Sequence, residues 1–247
     1  MKSKLLTVLT LVVLHFHPGK STLAPVLSVC SRNDPNFEKC VMEVVYRIRK
    51  NVADGDYGDG RPAPKLDPMN FDLMKIDRGP TFHLNLINVT IQGASDFNIK
   101  KIRDNLPERK FVITTVIPVM NINGKYDMNM NILLMQVAGT GDFHLQLNDT
   151  VANLKMEYKV TPQDGKNFVR FEPVELKLRF PKAKFHLTNL FGGDPQLGEF
   201  ANRAINENPS ILLDEVKPAF EKNLARVFTD ISNSVVVGAE ESELLPP

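Results

Sequence analysis

From just after Pro68 to about residue 188, apolar side chains recur with a period of two. A period of two over so long a stretch restricts the chain to strands, because a helix repeats every 3.6 residues. Phe82, Leu84 and Leu86 alternate with His83 and Asn85. Ile87, Val89 and Ile91 continue on the opposite parity, which predicts a bulge at Leu86–Ile87. Phe111, Ile113, Thr115, Ile117 and Val119 form the next run. Asn123-Gly124 predicts a two-residue hairpin turn, followed by Tyr126, Met128, Met130, Ile132 and Leu134. Turns at Gly139-Thr140-Gly141 and Asp164-Gly165 bound runs through Phe143, Leu145, Leu147 and through Leu154, Met156, Tyr158, Val160. Val174, Leu176, Leu178 and Phe180 close the series. The pattern predicts an antiparallel sheet of long strands with one apolar and one wet face.

That apolar face needs a cover, and two regions have helical spacing. Asp34-Pro35 predicts a helix start ahead of Phe37, Val41, Val44 and Ile48, with Arg47, Arg49 and Lys50 near its end. Asp194-Pro195 predicts another, with Leu197, Phe200, Ala201, Ala204 and Ile205 on one face. A third covers about 210–235, through Leu212, Val216, Phe220, Leu224, Val227, Phe228 and Ile231; Pro218 should kink it or mark its start. Long strands of one sheet curl rather than stay flat. The expected class is α+β, a curled antiparallel sheet around a helix.

The first residues read as a secretory leader: Lys2 and Lys4, an uncharged apolar run from Leu5 to Phe16, then small and polar residues from Pro18 to Ala24. The run is too short for a spanning helix. Cleavage after Ser21 or after Ala24 fits, and Pro25 disfavours the second. The expected organisation is a leader at 1–21 and one domain at 22–247, secreted and extracellular. Residues 1–21 carry Lys2, Lys4, Lys20 and no acid, so losing them turns the formal charge of +1 into −2. A near-neutral chain with dispersed cations lacks the footprint of a nucleic-acid binder. Cys30 and Cys40, the two cysteines, are expected to form a disulfide in an oxidising compartment. Asn88-Val89-Thr90 and Asn148-Asp149-Thr150 are glycan acceptor sequences.

Tests for chemistry fail in turn. Gly93-Ala94-Ser95-Asp96-Phe97 ends in phenylalanine where a nucleophile elbow needs glycine. Gly139-Thr140-Gly141 is followed by His144 where a dinucleotide loop needs glycine. The acidic stretch Asp54–Gly60 would place Gly58, Asp59 and Lys65 at the fifth, sixth and twelfth positions of a calcium loop, against its ligand rule. His83, His144 and His186 each lie between apolar neighbours on a strand and should face solvent rather than share a metal. Cysteines in a disulfide are not nucleophiles. No enzyme activity, cofactor or metal is expected. Met120, Met128, Met130, Met135 and Met156 cluster in the central strands, either as core filler or as an adaptable lining.

Several segments together resemble the insect takeout / juvenile-hormone-binding protein family: C-S-R-N-D-P-N-F-E-K-C at 30–40, L-D-P-M at 66–69, N-V-T-I-Q-G-A-S-D-F at 88–97, P-V-M-N-I-N-G-K-Y-D-M at 118–128, G-T-G-D-F at 139–143, N-L-F-G-G-D-P-Q-L-G at 189–198 and E-L-L-P-P at 243–247. Their order spans nearly all of the chain after the leader, and the single cysteine pair is similar to the takeout branch. Two departures are the acidic loop at 54–60 and Pro209, where the family commonly has tryptophan. The resemblance implies a strongly curved sheet wrapped around the long C-terminal helix, a tubular lipid-binding super-roll, with an internal apolar tunnel. It implies a carrier of a terpenoid, fatty acid or carotenoid-like pigment. Phe82, Met128, Met130, Ile132, Met156, Tyr158, Leu178, Phe220 and Leu224 are the expected lining, with Tyr158 offering a hydroxyl. No stable membrane insertion is expected. The competing expectation is an extracellular interaction protein with a filled core.

Overall fold

The computed structural model describes residues 23–247 apart from 62, 78, 80, 81, 133, 134 and 164, and the side chains of Ile132 and Met135. The leader therefore lies outside the described residues. Two helices, α1 (Phe37–Arg47) and α2 (Arg49–Asp54), precede strands β1 (Met69–Asp77), β2 (Phe82–Gln92), β3 (Asn98–Asn105), β4 (Lys110–Ile132), β5 (Met135–Gln163), β6 (Lys166–Phe171), β7 (Glu175–Arg179) and β8 (Lys182–Leu187). Helices α3 (Pro195–Glu207), α4 (Ser210–Val235) and α5 (Glu241–Leu244) follow.

The spine is a single antiparallel hairpin of β4 and β5, 23 and 29 residues long. Its register holds without a slip from Lys110↔Glu157 to Ile132↔Met135. This corrects two expected turns, since Asn123-Gly124 lies inside β4 and Gly139-Thr140-Gly141 inside β5. Those glycines serve close approach instead. A Cβ on Gly124 would stand 2.9 Å from the Ile87 carbonyl oxygen, and one on Gly141 would stand 2.3 Å from the Thr188 carbonyl oxygen. β5 and β6 pair as far as Gln163↔Lys166, on either side of the expected turn, with Gly165 at φ 77° and Asp164 outside the described residues. The bulge in β2 is two residues later than expected, between Ile87 and Thr90, with Asn88 at φ 51°.

Midway along the spine both strands exchange faces together. In β4 the buried residues are Thr115 and Ile117, then Met120, Ile122, Tyr126, Met128 and Met130. In β5 they are Val137, Phe143, Leu145 and Leu147, then Thr150, Ala152, Leu154 and Tyr158. The change falls where Pro118, which has no N–H to donate, stands opposite Asp149 at φ 56°. Val119, expected inside, is exposed for this reason. The same point divides the neighbours of the spine: β4 pairs with β3 before it and β2 after it, and β5 pairs with β8 before it and β7 after it.

The sheet runs β1-β2-β4-β5-β6. Helix α4 touches β1 at one extreme of this order and β6 and β7 near the other, so the sheet curls around it. Seven α4 side chains are buried, among them Val216, Phe220, Leu224 and Ile231. Truncating Phe220 or Leu224 to alanine should cost about 3–5 kcal/mol each. Pro218 is interior to α4 and is not its start. The edges of β8 and β6 are closed by side chains that imitate a neighbouring strand. Asn202 and Asn206 of α3 each exchange a donor and an acceptor with Leu187 and Phe185 of β8, and Asn233 of α4 does the same with Phe171 of β6. These two edges are thereby closed to other chains.

The predicted cap of α3 forms, Asp194 Oδ1 accepting from the Gln196 and Leu197 N–H groups. Its predicted apolar face is only half used: Ala201 and Ile205 are buried, but Leu197 and Phe200 are 48% and 55% exposed. Helix α1 starts two residues after Pro35, because Asp34 Oδ1 instead accepts from Asn36 N–H in a local turn. The helical run breaks at Ile48 and resumes as α2, which ends on Gly55 at φ 70°.

Candidate functional site

The half of the roll that holds residues 27–30 and the C-terminal tail contains an apolar cavity of about 290 Å³. Its floor is the sheet: Phe111, Ile113 and Ile117 of β4 and Ala152, Leu154 and Met156 of β5. All point inward because of the parities set on this side of Pro118 and Asp149. The facing wall comes from α1 and α2 (Val41, Val44, Val52), the far turns of α4 (Phe228, Ile231, Val235) and the tail (Leu244, Leu245). Residues 27–30 close one side.

These walls are tied to one another. The Cys30–Cys40 disulfide, S–S 1.95 Å, joins the 27–30 segment to α1. Ala24, 1% exposed, donates from its N–H to the Val235 carbonyl at the end of α4, 3.1 Å. Arg32 donates from its backbone N–H to Pro246 O and from Nε to Leu245 O, both at 2.8 Å. The tail is latched in turn through Glu241. Its carboxylate accepts from Arg109 Nε at 2.9 Å and from the Tyr158 hydroxyl at 3.0 Å. The Arg109 hydrogen bonds hold Glu241 below its ordinary carboxylate value, although burial opposes them. Burial, then the hydrogen bond to Glu241, pushes the Tyr158 hydroxyl up to about 12, so it stays a neutral donor. Rings of Phe37, Phe111, Tyr158 and Phe171 stand 6.4, 6.3 and 6.0 Å apart in succession.

Among the lining residues only Arg49 is charged. Its guanidinium lies 4.6 Å from the centroids of both Tyr46 and Phe97 and donates to the Phe97 carbonyl at 2.5 Å. Phe97 is held there by Asp67, whose carboxylate accepts from the N–H groups of Gly93 and Ser95 and from the Ser95 hydroxyl. Gly93 is obligatory, at φ 88° with the Val119 carbonyl oxygen 2.3 Å from where a Cβ would be. The segments 66–69 and 88–97 thus form one clamp, and Ser95 is a structural donor in it.

Of the nine residues expected to line a ligand site, Met156 lines this cavity. Met128, Met130, Tyr158, Leu178, Phe220 and Leu224 are buried and Phe82 is partly buried in the core cluster, outside the cavity's lining. The side chain of Ile132 lies outside the described residues. Sequence reasoning passed over Arg49, grouped with Arg47 and Lys50 as a helix-end cation. The signal it needed was the break at Ile48.

His83 contacts Asp77 and Asn85. His144 and His186 are register partners on the outer face, with His144 Nδ1 2.6 Å from Asn123 Oδ1. Among the described residues no group of three His, Cys, Asp or Glu side chains is placed to hold a metal ion. In the acidic loop, Asp54 pairs with Lys50, Asp56 with the Gly58 N–H and Asp59 with Arg61, while Tyr57 is buried. Asn88 is exposed and Asn148 half-buried. No helix among the described residues is long and apolar enough to cross a membrane.

The chain is 21% identical over 186 residues to the circadian clock-controlled protein daywake of Drosophila melanogaster, covering 71% of this chain and 72% of that one. The Drosophila yakuba protein of the same name is 19% identical over the same extent. Takeout 1 of Epiphyas postvittana shares the fold at a TM-score of 0.77 and 19% identity, over 90% of this chain and 100% of that one. The family model described as haemolymph juvenile hormone binding protein matches residues 5–246. On that match over nearly its whole length, the chain belongs to the haemolymph juvenile hormone binding protein family, a family of carriers of hydrophobic small molecules.

Proposed function

We propose that this protein is a secreted carrier that holds one hydrophobic small molecule in the cavity between β4, β5, α1 and the end of α4. The observation that carries the reading is an apolar space of about 290 Å³ with a single charged residue on its wall. That volume is near the lower end of the roughly 300–1,000 Å³ of small-molecule pockets. It is about twice the ~150 Å³ apolar cavity that accepts benzene. The size favours a single acyl chain or short terpenoid over a carotenoid. Burying about 350 Å² of ligand at about 25 cal/mol/Å² gives roughly 9 kcal/mol gross. Association costs leave about micromolar affinity. The contact set proposed is Phe111, Ile113, Ala152, Met156, Phe228 and Leu245, in place of the core methionines.

Secretion through cleavage after Ser21 is part of the same reading. The burial of Ala24 supports it, because cleavage after Ala24 would remove a core residue. Glycans are proposed on Asn88 and Asn148. Native mass spectrometry and organic extraction of the purified protein test the carrier. A bound apolar molecule is expected, and a protein that stays empty with fatty acids and terpenoids would refute it. The second reading, an extracellular interaction protein, draws on Leu197 and Phe200 exposed on α3.

A further inference from the structure

Arg49 is the arginine on the cavity wall. Arg109 has Glu241, Arg61 has Asp59 and Arg203 has Glu199 as carboxylate partners. Arg49 has none among the described residues, and its Nε is buried without a hydrogen-bond partner. A guanidinium carries five N–H donors in a planar fork matched to a carboxylate. Here one of them is committed, to the Phe97 carbonyl. The side chain is held by the Tyr46 and Phe97 rings, and Tyr46 is itself fixed by accepting the Ile99 N–H at 2.7 Å. A pre-oriented cation without a counter-charge therefore borders a space that is otherwise apolar.

We propose that Arg49 anchors the ionised head of a long-chain carboxylic acid whose hydrocarbon tail fills the cavity. This deepens the carrier reading and rests on it. The acid supplies the missing negative charge by charge-assisted hydrogen bonds, which are about twice as strong as neutral ones. A long-chain alcohol or ester of equal length keeps the tail contacts and loses that gain.

Dodecanoate, dodecanol and methyl dodecanoate are to be titrated at pH 7.5 by displacement of a neutral apolar dye, on the full secreted chain and on R49Q and R49K. Dodecanoate is expected to bind about tenfold or more tighter than the alcohol and ester. That ratio should fall to about one in R49Q and be partly kept in R49K. Equal affinities in the unmodified protein would overturn the anchor while leaving the carrier intact. An acid preference that survives in R49Q would place the head elsewhere and also overturn it. Failure of all three ligands to displace a dye that itself binds would overturn the anchor, and a protein that takes up neither the dye nor a terpenoid would refute the carrier itself. Circular dichroism checks folding; should R49Q fail to fold, the unmodified protein's ratio together with R49K decides.

Discussion

Asn233, near the end of α4, closes its side-chain amide on the backbone of Phe171. It donates from Nδ2 to the carbonyl at 3.1 Å and accepts the N–H at Oδ1 at 2.9 Å. The helix thereby finishes the edge of β6 and fixes a ring on the cavity wall. Asn233→Ala leaves both backbone groups without partners and should cost about 1–3 kcal/mol in urea unfolding. It should also weaken binding of an apolar probe, because Phe171 loses its anchor. Unchanged stability would show that water replaces the amide at no cost.

The Cys30–Cys40 staple joins two pieces of the cavity wall, residues 27–30 and α1. Closing a loop of separation 10 contributes about 2–3 kcal/mol in the chain-entropy model. Cys40→Ser should leave the roll folded, speed ligand release and raise hydrogen exchange in α1. Complete unfolding would show the staple to be a determinant of the whole fold.

The tail latch should open in acid. Glu241 is held below its unfolded value of about 4.3, first by the Arg109 hydrogen bonds. Its stabilisation is therefore fully present above that pH and is lost as pH falls through the folded value. Hydrogen exchange at Leu244 and Leu245 should rise below about pH 4. Glu241→Gln should raise it at neutral pH and flatten the acid dependence.

Gly141→Ala should destabilise without touching the ligand. Its Cβ would meet the Thr188 carbonyl oxygen at 2.3 Å, a backbone overlap that costs about 1–3 kcal/mol to relieve. Gly141 is not part of the cavity's lining, so affinity per folded molecule should be unchanged.

The runs of β2, β4, β5 and β7 and the three helical regions were legible because each rests on local periodicity, whereas β1, β3, β6 and β8 had no alternating run of their own. The turn chemistry was not. Asn123-Gly124 looks like a hairpin from its own two residues, yet Gly124 answers to the Ile87 carbonyl and the Phe143 ring, contacts distant in sequence. The face exchange left half a trace: β5 runs on odd residues through Leu147 and on even ones from Leu154. In β4 the odd run to Val119 hid it. Alternation says which way a side chain points and nothing about whether the space there is filled. Met128 and Met130 point inward as expected and meet other side chains, while Ile113 and Met156 point inward and border the cavity. The isolation of Arg49 required knowing that no acid among the described residues reaches it.

Ala152 is small, 2% exposed, and faces the cavity from the middle of β5. A larger side chain there should enter the cavity rather than displace the core. Dye and dodecanoate titrations of Ala152→Phe, beside its thermal unfolding, test the site directly. Binding should weaken about tenfold or more, with the melting temperature kept or raised by the filled space. Undiminished binding by a folded Ala152→Phe protein would contradict this cavity as the ligand site.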